Sequence, residues 1–310
     1  MMGHARKIQT LFGPIACEDD FIWDAHVHLW SRPFDSAADP DLILQDEELA
    51  VQELQEFYRA GGRVVVEFSP LDFHRNWEAL IRISRKTKVA VIVGTGFYRS
   101  PGLDVFFKRN SNMNFTDFIR EEVLYGEKET GIRPSFLKWS TSLNQATDAE
   151  LLALDYISAV HKETGLPIAT HTQKGTFALE QIELLKRKGV DMSRVLIAHL
   201  DMNNPLPEQL FLAVLKEGVH ISFDQLGKAK YGTDESKINL LKKLCDSGYS
   251  DKIHLATDIG RRSNLKSLGG EPGYEHIPKK LIPMLEQAGF EKSLIQKLTN
   301  FNPANFFGIR

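Results

Sequence analysis

The sequence predicts an α/β fold, a (β/α)8 barrel formed as one domain over residues 1–310. Three observations predict it. Eight short apolar runs, often β-branched, alternate with amphipathic stretches, as buried parallel strands alternate with the helices that cover them. The first run is followed by His-Leu-Trp-Ser-Arg-Pro, not by the glycine-rich phosphate turn of a doubly wound open sheet. Chemically distinctive residues stand near the C-terminal ends of several different runs, where a barrel of parallel strands assembles its site.

Residues 1–20 read as an N-terminal extension with a turn or hairpin at Gly13-Pro14, and His4 lies in its tail. Strands are expected near 21–29, 63–69, 88–97, 135–140, 167–172, 195–201, 219–224 and 252–258. The helical stretches at 46–62, 148–165 and 207–218 repeat apolar residues at helical spacing and close on glycine, which suits a helix C-terminus. Asp148 and Asp234 are expected as N-caps. Three longer loops, about 30–45, 99–115 and 259–276, are expected at the C-terminal face of the barrel.

Composition narrows the function classes. The chain has 310 residues, 42% hydrophobic and 25% charged, with a formal charge of -3. Near-neutral charge gives no reason to expect nucleic-acid or membrane partners. No apolar run approaches the roughly 18 residues of a membrane span. No signal peptide is read at the N-terminus, and Cys17 and Cys245 are too few for a disulfide framework, so a cytoplasmic location is expected.

Six residues carry the chemistry: His26 and His28 in FIWDAHVHLW, Lys138 in SFLKWS, His171 in PIATHT, His199 in VLIAHLD and Asp258 in KIHLATD. A strand alternates faces with a period of two, so His26 and His28 point the same way, as two ligands of one ion must. With Asp258 they would hold one divalent ion, while His171 and His199 would hold a second. Ions about 3.5–4 Å apart can share a bridging hydroxide, because binding lowers the pKa of water from ~15.7 to about 7. A bridging anion is then needed, and no Asp or Glu ends the fourth strand. Lys138 stands there between Leu137 and Trp139. Burial makes the neutral amine accessible, and its reaction with CO2 gives an anionic, bidentate carbamate. A carboxylated Lys138 is therefore expected; the alternative is a barrel-interior lysine paired with a carboxylate. Zinc suits imidazole and carboxylate ligands best, with manganese, cobalt and iron chemically open. His220 and His254 fall early in their strands and read as structural, and His74, His161 and His276 fall in helices or loops.

These residues resemble the phosphotriesterase-like family of the amidohydrolase superfamily. The resemblance runs from Gly13-Pro14-Ile15 to Asn302-Pro303-Ala304 and includes GLPIATHT, VLIAHLD and the closing FNPANFF. It implies an amidohydrolase-type TIM barrel, two divalent metals, a carboxylated lysine and a lactonase or organophosphate-hydrolase activity. The family's first strand often reads His-Glu-His where this one has His26-Val27-His28. Its eighth often reads Ser-His-Asp where this one has Ala256-Thr257-Asp258. The ligands survive both departures, but an outer contact of the missing histidine does not.

The expected mechanism is hydroxide attack on a carbonyl or phosphoryl centre, with Asp258 shuttling the proton. Tyr98 is either a donor to substrate or an ordinary packing residue of its loop. Lys228, Lys230, Arg261, Arg262 and Tyr274, with Lys266, fall after the seventh and eighth strands, where barrels of this kind often bind phosphate. They are either phosphate ligands or solvated surface. The first reading favours a small-molecule substrate, a sugar lactone or its phosphorylated form. Phosphotriesters and acyl-homoserine lactones are the alternatives. A catalytically silent binding barrel and a single-metal hydrolase are less consistent with the complete ligand set and with Lys138. A homodimer is compatible with the sequence.

Overall fold

A computed structural model describes residues 6–309. A hairpin of β1 (Lys7–Thr10) and β2 (Gly13–Ala16) precedes eight parallel strands. These are β3 (Ile22–Val27), β4 (Gly62–Glu67), β5 (Ala90–Gly96), β6 (Phe136–Ser140), β7 (Ile168–His171), β8 (Val195–Ile197), β9 (His220–Phe223) and β10 (Ile253–Leu255). They lie side by side in strict chain order. The seam between first and last strands is closed by Asp258 N–H on the His26 carbonyl and His28 N–H on the Ile259 carbonyl, both 2.8 Å. The eight expected strands are all present, within a few residues of the predicted bounds. Each is covered on both sides, which is why each reads as a continuous apolar run.

Helices α1 (Glu47–Arg59), α2 (Trp77–Thr87), α3 (Gly102–Arg109), α4 (Phe115–Tyr125), α5 (Asp148–Thr164), α6 (Ala178–Arg187), α7 (Glu208–Lys216) and α8 (Asp234–Leu244) lie between the strands. None among the described residues is long and apolar enough to cross a membrane. The barrel interior below the mouth is filled by Trp23, Val66, Ile92, Phe136 and Leu196, with Phe306 and Phe307 from the C-terminal segment. His220 and His254 belong to this lower end: they face each other at 3.0 Å, each ring beside Phe306.

Two expectations are corrected. The predicted loop 99–115 contains α3, whose Phe106 and Phe107 pack with Phe97 and Phe115. Asp148 and Asp234 are not N-caps; Thr147 and Thr233 are, one residue earlier, and the aspartates occupy the first helical turn, where the dipole favours them. The extension 1–20 holds the hairpin over 7–16, and His4 lies outside the described residues. At the start of α5, Thr147 and Glu150 form a reciprocal capping box. Thr147→Ala is expected to remove about 1 kcal/mol of stability, measured as a lowered thermal midpoint of the metal-free protein; an unchanged midpoint would show the cap to be redundant.

Candidate metal centre

His171 ends β7, and His28, His199 and Asp258 lie just beyond β3, β8 and β10, whereas His26 and Lys138 lie within β3 and β6. His26, on β3, is 1% exposed and stacks on Phe68 at 3.8 Å. Its Nε2 lies 3.5 Å from Asp258 Oδ1, and His28 Nε2 lies 3.6 Å from the same oxygen. The other ring nitrogen of His28 is held by Ser69 Oγ at 2.9 Å, which aims Nε2 inward. His199, beyond β8, directs Nδ1 to Asp224 Oδ1 at 2.8 Å, and its ring meets that of His171 at 4.5 Å. Lys138 on β6 is buried. Its Nζ lies 4.5 Å from the Phe68 ring centre and makes a single long hydrogen bond, 3.5 Å, to the Thr170 carbonyl. Gly96 makes room beside it, since a Cβ there would stand 2.2 Å from the Lys138 carbonyl oxygen.

The electrostatics suit a metal. Burial pushes the His26 imidazolium down to about 3 and that of His171 well below its usual range, so both rings are neutral donors. Burial also pushes the Lys138 ammonium down to about 7, placing the neutral amine within reach at physiological pH. Burial opposes ionisation of Asp258, but Lys228 and the neighbouring histidines outweigh it and hold the carboxyl well below its usual range. Two groups have donor atoms close enough to hold an ion: His26, His28 and Asp258, and His26, His199 and Asp224. His26 Nδ1 is buried with no hydrogen-bond partner. This nitrogen-and-oxygen donor set, with a lysine too poorly hydrogen-bonded to be a settled cation, fits divalent ions of the zinc type.

The centre opens into a cleft of about 780 Å³ lined by Tyr98, Arg99, Lys174, Lys228, Lys230 and Arg261 and by Asp35, Asp39 and Asp41. The model of the phosphotriesterase family matches residues 6–307.

The chain belongs to the phosphotriesterase family.

It is 32% identical over 289 residues to the phosphotriesterase homology protein of Escherichia coli, covering 91% of this chain and 96% of that one. The crystal structure of that relative, with phosphate in its active site, superimposes with a TM-score of 0.84, over 94% of this chain and 99% of that one. A lactonase from Listeria monocytogenes has 29% identity and a TM-score of 0.89, over 97% and 98% of the two chains. The N-acetyltaurine hydrolase of Tetraodon nigroviridis is 29% identical over 286 residues, 88% of this chain and 81% of the relative. The chain is thus a metal-dependent hydrolase on a TIM barrel.

Within this phosphotriesterase-family site, four carboxylate and amide residues escaped the sequence analysis. Asp224, beyond β9, accepts from the His199 backbone and ring and from Ser222. Gln225 donates to Asp224 and Asp258. Glu67, ending β4, accepts from the Ser69 and Leu29 amides and lies 3.9 Å from His28 Nδ1. Asp24 accepts from the Thr257 amide and hydroxyl, so the contact that replaces the family's histidine is a tie across the barrel seam. Asp224 and Glu67 carry the same signal that exposed Asp258, an acid after a short apolar run.

The predicted substrate residues divide. Tyr98 lines the cleft, its ring edge-on to His171 at 4.8 Å. Lys228 reaches the floor and pairs with Asp258 Oδ2 at 3.2 Å and with the Asp258 carbonyl. Arg261 lines the cleft but is held by Asp39 at 2.6 Å and Asp41 at 3.3 Å, tying the loop after β10 to the loop after β3. Lys230 lines the cleft beside the Tyr231 ring. Three residues do not line this cleft. Arg262 lines a separate small hollow under Leu29 and Leu44. Tyr274 is 1% exposed in that hollow and donates to the His28 carbonyl, bracing the backbone of a candidate ligand. Lys266 is paired with Glu275 at 2.9 Å. A short helical turn over Arg262–Asn264 sends neighbouring side chains in opposite directions, which loop sequence does not reveal.

Proposed function

We propose that this hydrolase opens a compact anionic lactone, a sugar lactone or its phosphorylated form, at a two-ion centre. His26, His28 and Asp258 would hold one ion, His171 and His199 the other, with carboxylated Lys138 between them. Bound there, the ions supply Lewis acidity and activate a water as nucleophile. Asp258 is the carboxylate placed to take that water's proton and return it to the leaving oxygen. Lys228 beside Oδ2 keeps the carboxylate ionised until then. Tyr98 stands over His171 as a donor to the substrate carbonyl or hydroxyls.

One observation carries the substrate class. Among the described residues, Lys174 and Lys230 line the cleft with no ion-pair partner, whereas Lys228, Arg99 and Arg261 are each bound to a carboxylate. An anionic group is the natural complement of the two free ammonium groups. The phosphate in the active site of the Escherichia coli relative and the lactonase activity of the Listeria relative support this reading. The N-acetyltaurine hydrolases favour a second one, cleavage of an amide that carries a sulfonate, which the same lysines would hold.

Hydrolysis measured with the zinc- and manganese-loaded protein separates these readings. The panel pairs sugar lactones with their phosphorylated forms and adds an acyl-homoserine lactone, an aryl phosphotriester and N-acetyltaurine. The phosphorylated lactone is expected to show the highest kcat/KM. Preference for the triester or the acyl lactone would overturn the substrate class, and preference for N-acetyltaurine would establish the amide reading. Lys174→Ala and Lys230→Ala are each expected to raise KM about tenfold for anionic substrates, the loss of one charge-assisted hydrogen bond. Equal effects on neutral lactones would show that neither lysine reads charge.

A further inference from the structure

Gln225 is fully buried, one residue after Asp224 at the mouth of β9. Its backbone is fixed from both sides: the N–H donates to Asp201 Oδ2 at 2.9 Å, and the carbonyl accepts from the buried Lys237 ammonium. The side chain is held as firmly. Nε2 lies 2.9 Å from Asp258 Oδ2 and 2.9 Å from Asp224 Oδ1, and Oε1 accepts from Lys228 Nζ at 3.3 Å. A primary amide has two N–H protons, and two carboxylates use both. The third neighbour of Nε2, His199 Nδ1 at 3.3 Å, gives its own proton to Asp224 and needs nothing from the amide. The reverse amide orientation would set the oxygen against two carboxylates and the NH2 against an ammonium, so the network admits one orientation.

The two carboxylates belong to different halves of the centre. Asp258 faces His26 and His28 through Oδ1, whereas Asp224 orients His199. Among the described residues, Gln225 is the one side chain hydrogen-bonded to both. We infer that Gln225 is a positioning residue that fixes the spacing of the two metal half-sites: it clamps Asp258 Oδ2 so that Oδ1 stays turned to the histidines, and ties that clamp to the carboxylate behind His199. An amide does this without adding charge; a carboxylate at 225 would face two others, and an apolar side chain would remove the hydrogen-bonded tie between Asp258 and Asp224. The inference rests on the two-ion reading above and adds a residue to it.

The test titrates Zn2+ and Co2+ alone into the metal-free full chain, with wild type, Gln225→Glu and Gln225→Met compared. Gln225→Glu keeps the shape of the side chain and removes its donors; Gln225→Met keeps its length and removes all polarity. Both are expected to weaken one of two metal equivalents by about 10–100-fold and to alter the visible spectrum of the cobalt-loaded protein. Both should lower kcat in the same proportion with KM unchanged. A Gln225→Glu protein with wild-type isotherm, spectrum and kcat overturns the inference. So does a Gln225→Met protein whose only change is a lower metal-free thermal midpoint, since that marks a packing role. A wild-type chain that binds a single ion is a distinct result: it removes the two-ion reading itself, whatever the variants do. If Gln225→Met does not fold, Gln225→Glu decides alone.

Discussion

Lys138→Ala is expected to abolish turnover, by on the order of 10³-fold or more, and to lose at least one bound metal equivalent. The reason lies in how little holds this side chain as an ordinary lysine. It is 3% exposed, has one long hydrogen bond and faces an aromatic ring, and burial brings its pKa down to about 7. A cation so placed among His26, His171 and His199 would repel any ion they bind. A carbamate formed from the neutral amine and CO2 would reverse the sign of that charge and provide two oxygen ligands. Acetate or propionate is expected to restore part of the metal uptake and activity to Lys138→Ala, because a short carboxylate can enter the vacated space. Lys138→Arg, which cannot be carboxylated, should not be rescued. Metal content and kcat measured with and without added carboxylate check both statements, and full activity in Lys138→Ala would remove the carbamate from the mechanism.

Asp258→Asn is expected to cost about 10³-fold in kcat, within the range for a general acid–base residue, with a small effect on KM. The substitution removes the charge while nearly keeping the shape of the side chain. Asp258 holds a left-handed backbone at φ 46°, which asparagine tolerates better than most residues, so the strand end should keep its course. What changes is the charge of a proposed ion ligand, so metal content is measured alongside; the partner of Lys228, whose ammonium would face a neutral amide at 3.2 Å; and the ability to accept a proton. Steady-state kinetics on lactone substrates, with the metal-free thermal midpoint as a control for folding, checks this. A variant with normal kcat would mean that another group carries the proton.

The fold was legible because parallel barrel strands are buried on both faces, so VVVE, VLIA and HISF announce themselves without needing periodicity. The ligands were legible because residues such as His199 and Asp258 end those runs abruptly. Asp224 and Glu67 carry the same mark, each an acid that ends or follows a short apolar run. That Arg262 and Tyr274 turn away from the cleft is not legible, because they sit in irregular chain, where neighbouring residues turn in unrelated directions and no spacing rule applies. The caps were missed by one residue because Thr-Asp offers two capping side chains in a row, and backbone geometry chooses between them. Helix α3 was hidden by its Pro-Gly start and its run of aromatic residues.

The seam between β3 and β10 has a consequence for how the protein matures. The two backbone bonds that close it flank His26, His28 and Asp258, so one group of ligands is drawn from the opening strand and the closing strand together. A chain still growing on the ribosome presents both histidines early and must wait for almost its whole length before the aspartate arrives. An ion held by this group would have to await the synthesis of Asp258, and once bound it would rivet the first barrel strand to the last.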